Sequence, residues 1–294
     1  IAAGLSSSSA MVVATAEAAV AINDLDLAPQ DFVDLCGEGE WFVGSRGGAG
    51  DHAAMKYGKK GHISQLEFFP FGLKQTVPFP DGYSLLIANT FVEAKKSDDA
   101  KDIFNQRIAE YDFSFMLFKH LVPTHVHQLH RLRDINSKDL LAPPSAIYRM
   151  LLKIPECLSL KEMLAILPKE LHEKVIKIAS SHRNPEMYKL RSVLLYGIAE
   201  CERSRIAEEL LSSGRFDEFG QLMRASHNGD RVCALTGTEM MEIQSPCDDV
   251  YLESLIADLR SEDPSRVFAA QLQQQPGGYA CSTKEADFIV DTAM

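Results

Sequence analysis

The sequence predicts an α+β protein of two domains, and three observations carry that prediction. Its 294 residues reach the size at which a single core usually gives way to two. Runs with strand character are confined to residues 61–90, where Pro and Gly separate them. From Lys101 onward the apolar spacing turns helical over most of the remaining chain. Strands and helices therefore mix early and a helical array follows, with the boundary placed near residue 82, giving domains 1–82 and 83–294.

Taken in order, the opening IAAGLSSSSAMVVATAEAAVAIND reads as a Gly/Ser loop leading into a helix of small residues. Serines at its start are capping residues, and the Ala/Val run from Ala10 to Ile22 is apolar enough for burial. Pro29 and Asp31 start a second helix, Phe32 to Cys36. A glycine-rich stretch, Gly44 to Gly50, ends at Asp51-His52-Ala53-Ala54-Met55. HISQLEFFPF, LKQTVPF and YSLLIANT are strand candidates, the last apolar enough to be a buried strand. Helices are predicted near 101–121, 136–141, 145–153, 159–165, 168–180, 186–202, 204–212 and 215–226. Pro123, the Pro143-Pro144 pair and Pro168 punctuate them. Residues 228–278 are polar and less regular, with a helix around 249–260 and a Gln-rich surface loop at 271–275. A last helix is predicted from Glu285 to Met294, and there is no internal repeat.

The formal net charge of −11 argues against a nucleic-acid partner, which calls for a basic balance or stripe. It leaves room for an anionic small molecule, because phosphate sites rest on a few local donors. Six scattered cysteines (Cys36, Cys157, Cys201, Cys233, Cys247, Cys281) form no C-x-x-C pair, so they read as reduced intracellular thiols. No apolar run approaches the length of a membrane span. The expectation is a cytoplasmic protein with no membrane partner, its oligomeric state open. The chain opens on Ile1 rather than Met and stops at Met294 within a predicted helix, so both ends read as cut.

Two segments carry chemistry. Gly4-Leu5-Ser6-Ser7-Ser8-Ser9-Ala10 leads into a helix, where small residues and free first-turn N–H groups suit a phosphate. Serine hydroxyls add donors and can ligate magnesium. A plain serine-rich cap or linker fits the same residues, and no Walker A pattern is present. Asp51 follows Gly47-Gly48-Ala49-Gly50, whose glycines permit positive φ and close backbone approach. Its carboxylate fits a general base for a substrate hydroxyl, although taken alone a helix cap is the commoner role for such an aspartate. His120, His125, His127 and His130 form the densest histidine cluster, without a Cys or carboxylate to complete a metal site. Ser226-His227 are adjacent, so on a helix they point apart, and a structural role is the default.

Together these segments resemble the GHMP family of small-molecule kinases, and galactokinases within it. GLSSSSAMVVAT is similar to that family's second signature, the loop that wraps ATP phosphates. LCGEGEWFVGSRGGAGDHAAM resembles the galactokinase stretch that ends at the catalytic aspartate, which falls on Asp51. PDGYSLLIANTFVEAKK and IFNQRIAEY are similar to the strand and the Y-N-x-R helix of galactokinases, with Phe104 where the family has tyrosine and Asn105 and Arg107 retained. GQLMRASHNGDRV and YACSTKEADFIVDTA resemble their S-H and S-C-x-E-x-D segments, here separated by an insertion from Cys233 to Gly278.

The resemblance implies a two-domain GHMP kinase fold, with an amino-terminal part like domain 2 of ribosomal protein S5 and a ferredoxin-like carboxy-terminal part bearing helical insertions. The first and third family signatures would lie before Ile1 and after Met294, so both domains are expected to be incomplete. It implies ATP-dependent phosphorylation of a monosaccharide hydroxyl, the anomeric one, to a sugar 1-phosphate. The partners implied are a small-molecule sugar, ATP and Mg²⁺. Gly4, Leu5, Ser6, Ser7, Ser8 and Ser9 would bind the ATP phosphates, with Ser8 near Mg²⁺. Asp51 would orient or deprotonate the hydroxyl, and Gly48, Ala49, Gly50 and Phe104 would contact the sugar. Arg46 is a candidate anion partner or an exposed solvated side chain. The alternative reading is a galactokinase-like sugar and ATP sensor without turnover.

Overall fold

Alanine favours helix more than any other residue, and the alanine-rich opening forms α1, Ser7–Ile22. This computed structural model describes residues 6–43, 48–68, 71–92, 98–245 and 247–293. The chain divides into two compact units, Ile1–Lys101 with Leu211–Gly214, and Asp102–Leu210 with Arg215–Met294.

In the first unit Pro29 occupies the opening turn of α2, Pro29–Glu40, where its missing N–H costs nothing. A single 3-10 turn, Trp41–Val43, follows, and α3 spans Gly50–Tyr57. Phe32, Val33 and Cys36 of α2 pack with Ala49, Ala53 and Phe71 into a small core. Val12, Val13, Ala16 and Val20 of α1 close over it. Helix α2 approaches the loop before α3 so closely that a Cβ on Gly37 would lie 2.7 Å from the Ala49 Cβ. Strands β1 (His62–Glu67) and β2 (Gly72–Pro78) pair antiparallel from His62↔Pro78 to Glu67↔Gly72, with an irregularity at Gln65/Leu66.

YSLLIANT departs from its expectation. It has no ladder partner among the described residues, and Leu85, Leu86 and Ile87 are 79%, 85% and 69% exposed. Apolar composition alone does not make a buried strand; the backbone also needs a neighbour to pair with.

In the second unit α4 (Asp98–Leu121) places Ala109, Phe113, Met116 and Leu117 on one buried stripe at helical spacing. Around it lie α5 (Pro144–Leu151), the bridge strand β3 (Cys157–Leu158), α6 (Leu160–Ile166) and α7 (Lys169–Ala179). Strand β4 (Tyr188–Lys189) pairs with β3, and the long helix α8 (Arg191–Ser212) follows, then α9 (Phe216–Asp230). Ser159 caps α6 in a reciprocal box with Glu162. Arg191, almost wholly buried, donates to the Ile154 carbonyl at 2.7 Å and to the Asp249 carboxylate at 2.7 Å.

The segment expected to be least regular is ordered. β5 (Cys233–Thr236) and β6 (Glu239–Glu242) form a hairpin, followed by α10 (Asp249–Asp258), α11 (Pro264–Ala269) and α12 (Lys284–Ala293). Two further expectations are corrected. Residues 136–141 form turns rather than a helix, because the Asn136 side chain accepts from the N–H groups of Lys138 and Asp139. The helices expected at 186–202 and 204–212 are one helix, α8, with no breaker between them and with Arg203–Glu200 and Arg205–Glu202 pairs bridging the join. Among the described residues, helices mixed with three small antiparallel two-stranded sheets make the architecture α+β. No helix among the described residues is long and apolar enough to cross a membrane.

Candidate phosphate-binding site

The serine tract enters α1 through Ser6, a non-glycine residue in the left-handed region at φ 52°, ψ 46°. That turn aims the chain into the helix without a side-chain cap. The first intrahelical bond runs from the Ala10 N–H to the Ser6 carbonyl at 3.0 Å, so Ser7, Ser8 and Ser9 supply the N–H groups of the opening turn. No acidic side chain stands in that turn, which leaves its positive dipole end uncompensated from within the helix. Ser8 is exposed and Ser9 is buried. Gly4 and Leu5 lie outside the described residues, as do Arg46 and Gly47.

Ser9 is held by a carboxylate. Its Oγ donates to Glu40 Oε1 at 3.0 Å, joining the start of α1 to the end of α2. The same oxygen lies 3.9 Å from Nε2 of His52 in the first turn of α3. Lys56, one turn further along α3, pairs with Glu17 of α1 and sits 4.4 Å from the Phe32 ring centroid of α2. Three helix segments are thus tied by polar contacts along their flank as well as by the core. The Ser9–Glu40 contact spans 31 residues and was not anticipated from the sequence. Glu40 lies in the stretch that resembles the galactokinase segment, and no local spacing marks it.

Asp51 occupies the second position of α3 and is exposed. It is not the cap: Ala49 holds that position, without a side-chain cap bond. A carboxylate in the first turn is favoured by the helix dipole. Neither Gly48 nor Gly50 has φ in the left-handed region, and a Cβ at either would meet open space. The close approach expected of that loop occurs instead at Gly37 against Ala49.

Phe104 lies on α4 in the second unit and is half-buried. Its neighbours serve the fold. Asn105 Nδ2 donates to the Ser181 carbonyl at 3.0 Å, and Arg107 pairs with the fully buried Glu110 at 2.7 Å. Glu110 also accepts from the Lys189 N–H at 3.0 Å, so this ladder fastens α4 to β4.

The S-H and S-C-x-E-x-D segments meet in the same unit. His227 Nε2 is 3.3 Å from Oδ1 of the fully buried Asp287. The other Asp287 oxygen accepts from the N–H groups of Val232 and Cys233, each at 2.9 Å. Burial raises the carboxyl pKa of the neighbouring Asp230, which accepts from the Cys281 N–H. Tyr111, Tyr279 and Tyr196 stack in sequence at centroid distances of 5.4 and 5.2 Å. Gly277 has a φ of 61° and packs on Tyr196 where a Cβ would collide with its backbone. Ser226 and His227 thus look to different partners, Tyr196 and Asp287. Among the described residues no three His, Cys, Asp or Glu side chains gather to hold a metal ion, and the His125 side chain lies outside them.

Comparison with known proteins adds family to geometry. Residues 1–59 match the family described as GHMP kinases N terminal domain. A galactokinase of Dictyostelium discoideum is 28% identical over 133 residues, 45% of this chain and 26% of that protein. A galactokinase of Schizosaccharomyces pombe is 33% identical over 112 residues, 36% of this chain and 22% of that protein. The matches thus span about a quarter of the length of these relatives.

Proposed function

We propose, from the premise that this chain is a galactokinase-like member of the GHMP kinase family, that the complete protein transfers the γ-phosphoryl group of ATP to a monosaccharide hydroxyl. The anomeric hydroxyl is the acceptor in this reading, and a sugar 1-phosphate the product. The cytoplasm is its setting, and a GHMP two-domain fold its frame.

The observation that carries the reading is the Ser9–Glu40 hydrogen bond, which fixes the serine tract against the segment leading to Asp51. Phosphoryl transfer asks a protein mainly for positioning and charge neutralisation. The opening turn of α1 offers backbone donors to a phosphate, Ser9 among them through its N–H, and the Ser6, Ser7 and Ser8 hydroxyls add side-chain donors, while the Ser9 hydroxyl is taken by Glu40. Gly4 and Leu5 complete the loop in this assignment. Magnesium takes hard oxygen ligands, and the serine hydroxyls beside the Glu40 carboxylate are donors of that kind. We assign Ser8 to it. Bound there, the ion would neutralise phosphate charge. Asp51, exposed at the start of α3, accepts the proton of the attacking hydroxyl or orients it. Gly48, Ala49 and Gly50 shape the sugar floor in this assignment.

The test is ATP consumption by the complete protein with Mg²⁺ over galactose, arabinose, fucose, glucuronate and galacturonate. Turnover on one sugar, falling by at least about 100-fold in Asp51→Asn, is the expected result. Sugar binding without turnover in the folded protein would replace the kinase with a sensor.

A further inference from the structure

We infer that His52 is a positioning residue of the phosphate site, acting through Glu40; the inference rests on the kinase reading above. His52 is 1% exposed, and neither ring nitrogen has a hydrogen-bond partner. An imidazole buried in that state weakens the fold, and such a group in a native structure needs a reason. Simple packing does not supply one, since a leucine would fill the space without leaving polar atoms unpaired.

The geometry supplies another. Nε2 of His52 lies 3.9 Å from Glu40 Oε1, and that oxygen is the acceptor for Ser9 Oγ. The ring comes from α3 one residue after Asp51, and Ala53 beside it is fully buried in the core, so the backbone beneath the ring is anchored. Glu40 stands at the last position of α2 with its side chain 14% exposed, and its Oε1 is the atom that both Ser9 Oγ, at 3.0 Å, and His52 Nε2, at 3.9 Å, approach. His52 and Ser9 both lie against the same carboxylate oxygen. The buried imidazole therefore restricts Glu40 to the orientation that fixes Ser9, and through Ser9 the opening turn of α1. The residue is not a ligand in this account. Its effect is to keep the anion-binding turn in one arrangement before nucleotide arrives.

The experiment uses the complete protein and three variants, His52→Leu, His52→Gln and Glu40→Gln, together with the double variant Glu40→Gln/His52→Leu. ATP affinity is measured by calorimetric titration with Mg²⁺, and the melting temperature alongside. His52→Leu is expected to weaken ATP binding about tenfold with an unchanged or raised melting temperature. His52→Gln, which keeps an N–H donor, is expected to recover affinity to within about threefold of the wild type. In the double variant, the His52→Leu change is expected to add little to Glu40→Gln, because both act on the same carboxylate. A His52→Leu protein that binds ATP as the wild type does overturns the inference alone. So does one that loses melting temperature and affinity together with no rescue by glutamine. A folded wild-type protein that binds no ATP overturns the inference and the kinase reading together.

Discussion

His182 shows what burial does to a single ionisable group. It is 9% exposed, its Nε2 is 2.9 Å from the Tyr188 hydroxyl, and its Nδ1 is 3.1 Å from Ser181 Oγ. Burial lowers its pKa below the ordinary value of 6.5, while Asp102 and Glu110 oppose that shift more weakly. In the unfolded chain the ring regains the higher value, so between the two pKa values the unfolded state binds more protons. Stability from this group is therefore fully present above pH 6.5 and is lost as pH falls through the folded value. Denaturant unfolding from pH 8 to pH 5 is expected to show a decline that is shallower in His182→Gln; parallel curves would assign the slope to other groups. Burial also makes two thiols unreactive, raising Cys201 to about 11 and Cys247 to about 12.

At the scale of elements, α12 is bound to the hairpin by carboxylates. Asp287 accepts two backbone N–H groups at the start of β5, and Asp291 accepts the Leu235 N–H at 2.8 Å and pairs with Arg231. Removing the Asp287 carboxylate strands one buried and one part-buried donor, so Asp287→Ala is expected to cost about 3 kcal/mol. Urea unfolding reads that number, and a change below about 0.5 kcal/mol would show that the donors find other partners. The same element shows where sequence reading succeeds and fails. Periodicity locates α5 and α7 well, because helix and apolar stripe are both local, and the Ala/Val composition locates α1. Strands β1 and β2 are legible as strand-type runs that Pro and Gly separate in the sequence. The attachment of α12 is not legible: Asp287 meets Val232 across 55 residues, and nothing near Asp287 names that partner. The candidate site divides likewise. The serine tract and Asp51 announce themselves by composition, whereas Glu40 and His52 take their meaning from a contact between helices.

Across the whole molecule the two units differ in how well they are covered. The second encloses a continuous core from Ala109 to Leu272. The first has a small core, while Met11, Ile22, Phe42, Leu86 and Phe91 are largely exposed and α1 is apolar around much of its circumference. Exposed apolar side chains in this number favour association. The 294-residue chain is expected to bind the dye ANS and to self-associate, with Leu86→Lys and Phe42→Lys each reducing both. Light scattering and dye emission check this, and a monodisperse monomer without dye binding would contradict it. One residue in that first unit makes the candidate site observable. The chain has a single tryptophan, Trp41, half-exposed and next in sequence to Glu40. Indole emission from this protein therefore originates at one known position, one residue from the carboxylate that holds Ser9. A nucleotide-linked rearrangement of that segment is expected to register as a colour or intensity change in the unlabelled molecule, so the chain carries its own optical gauge beside the phosphate turn.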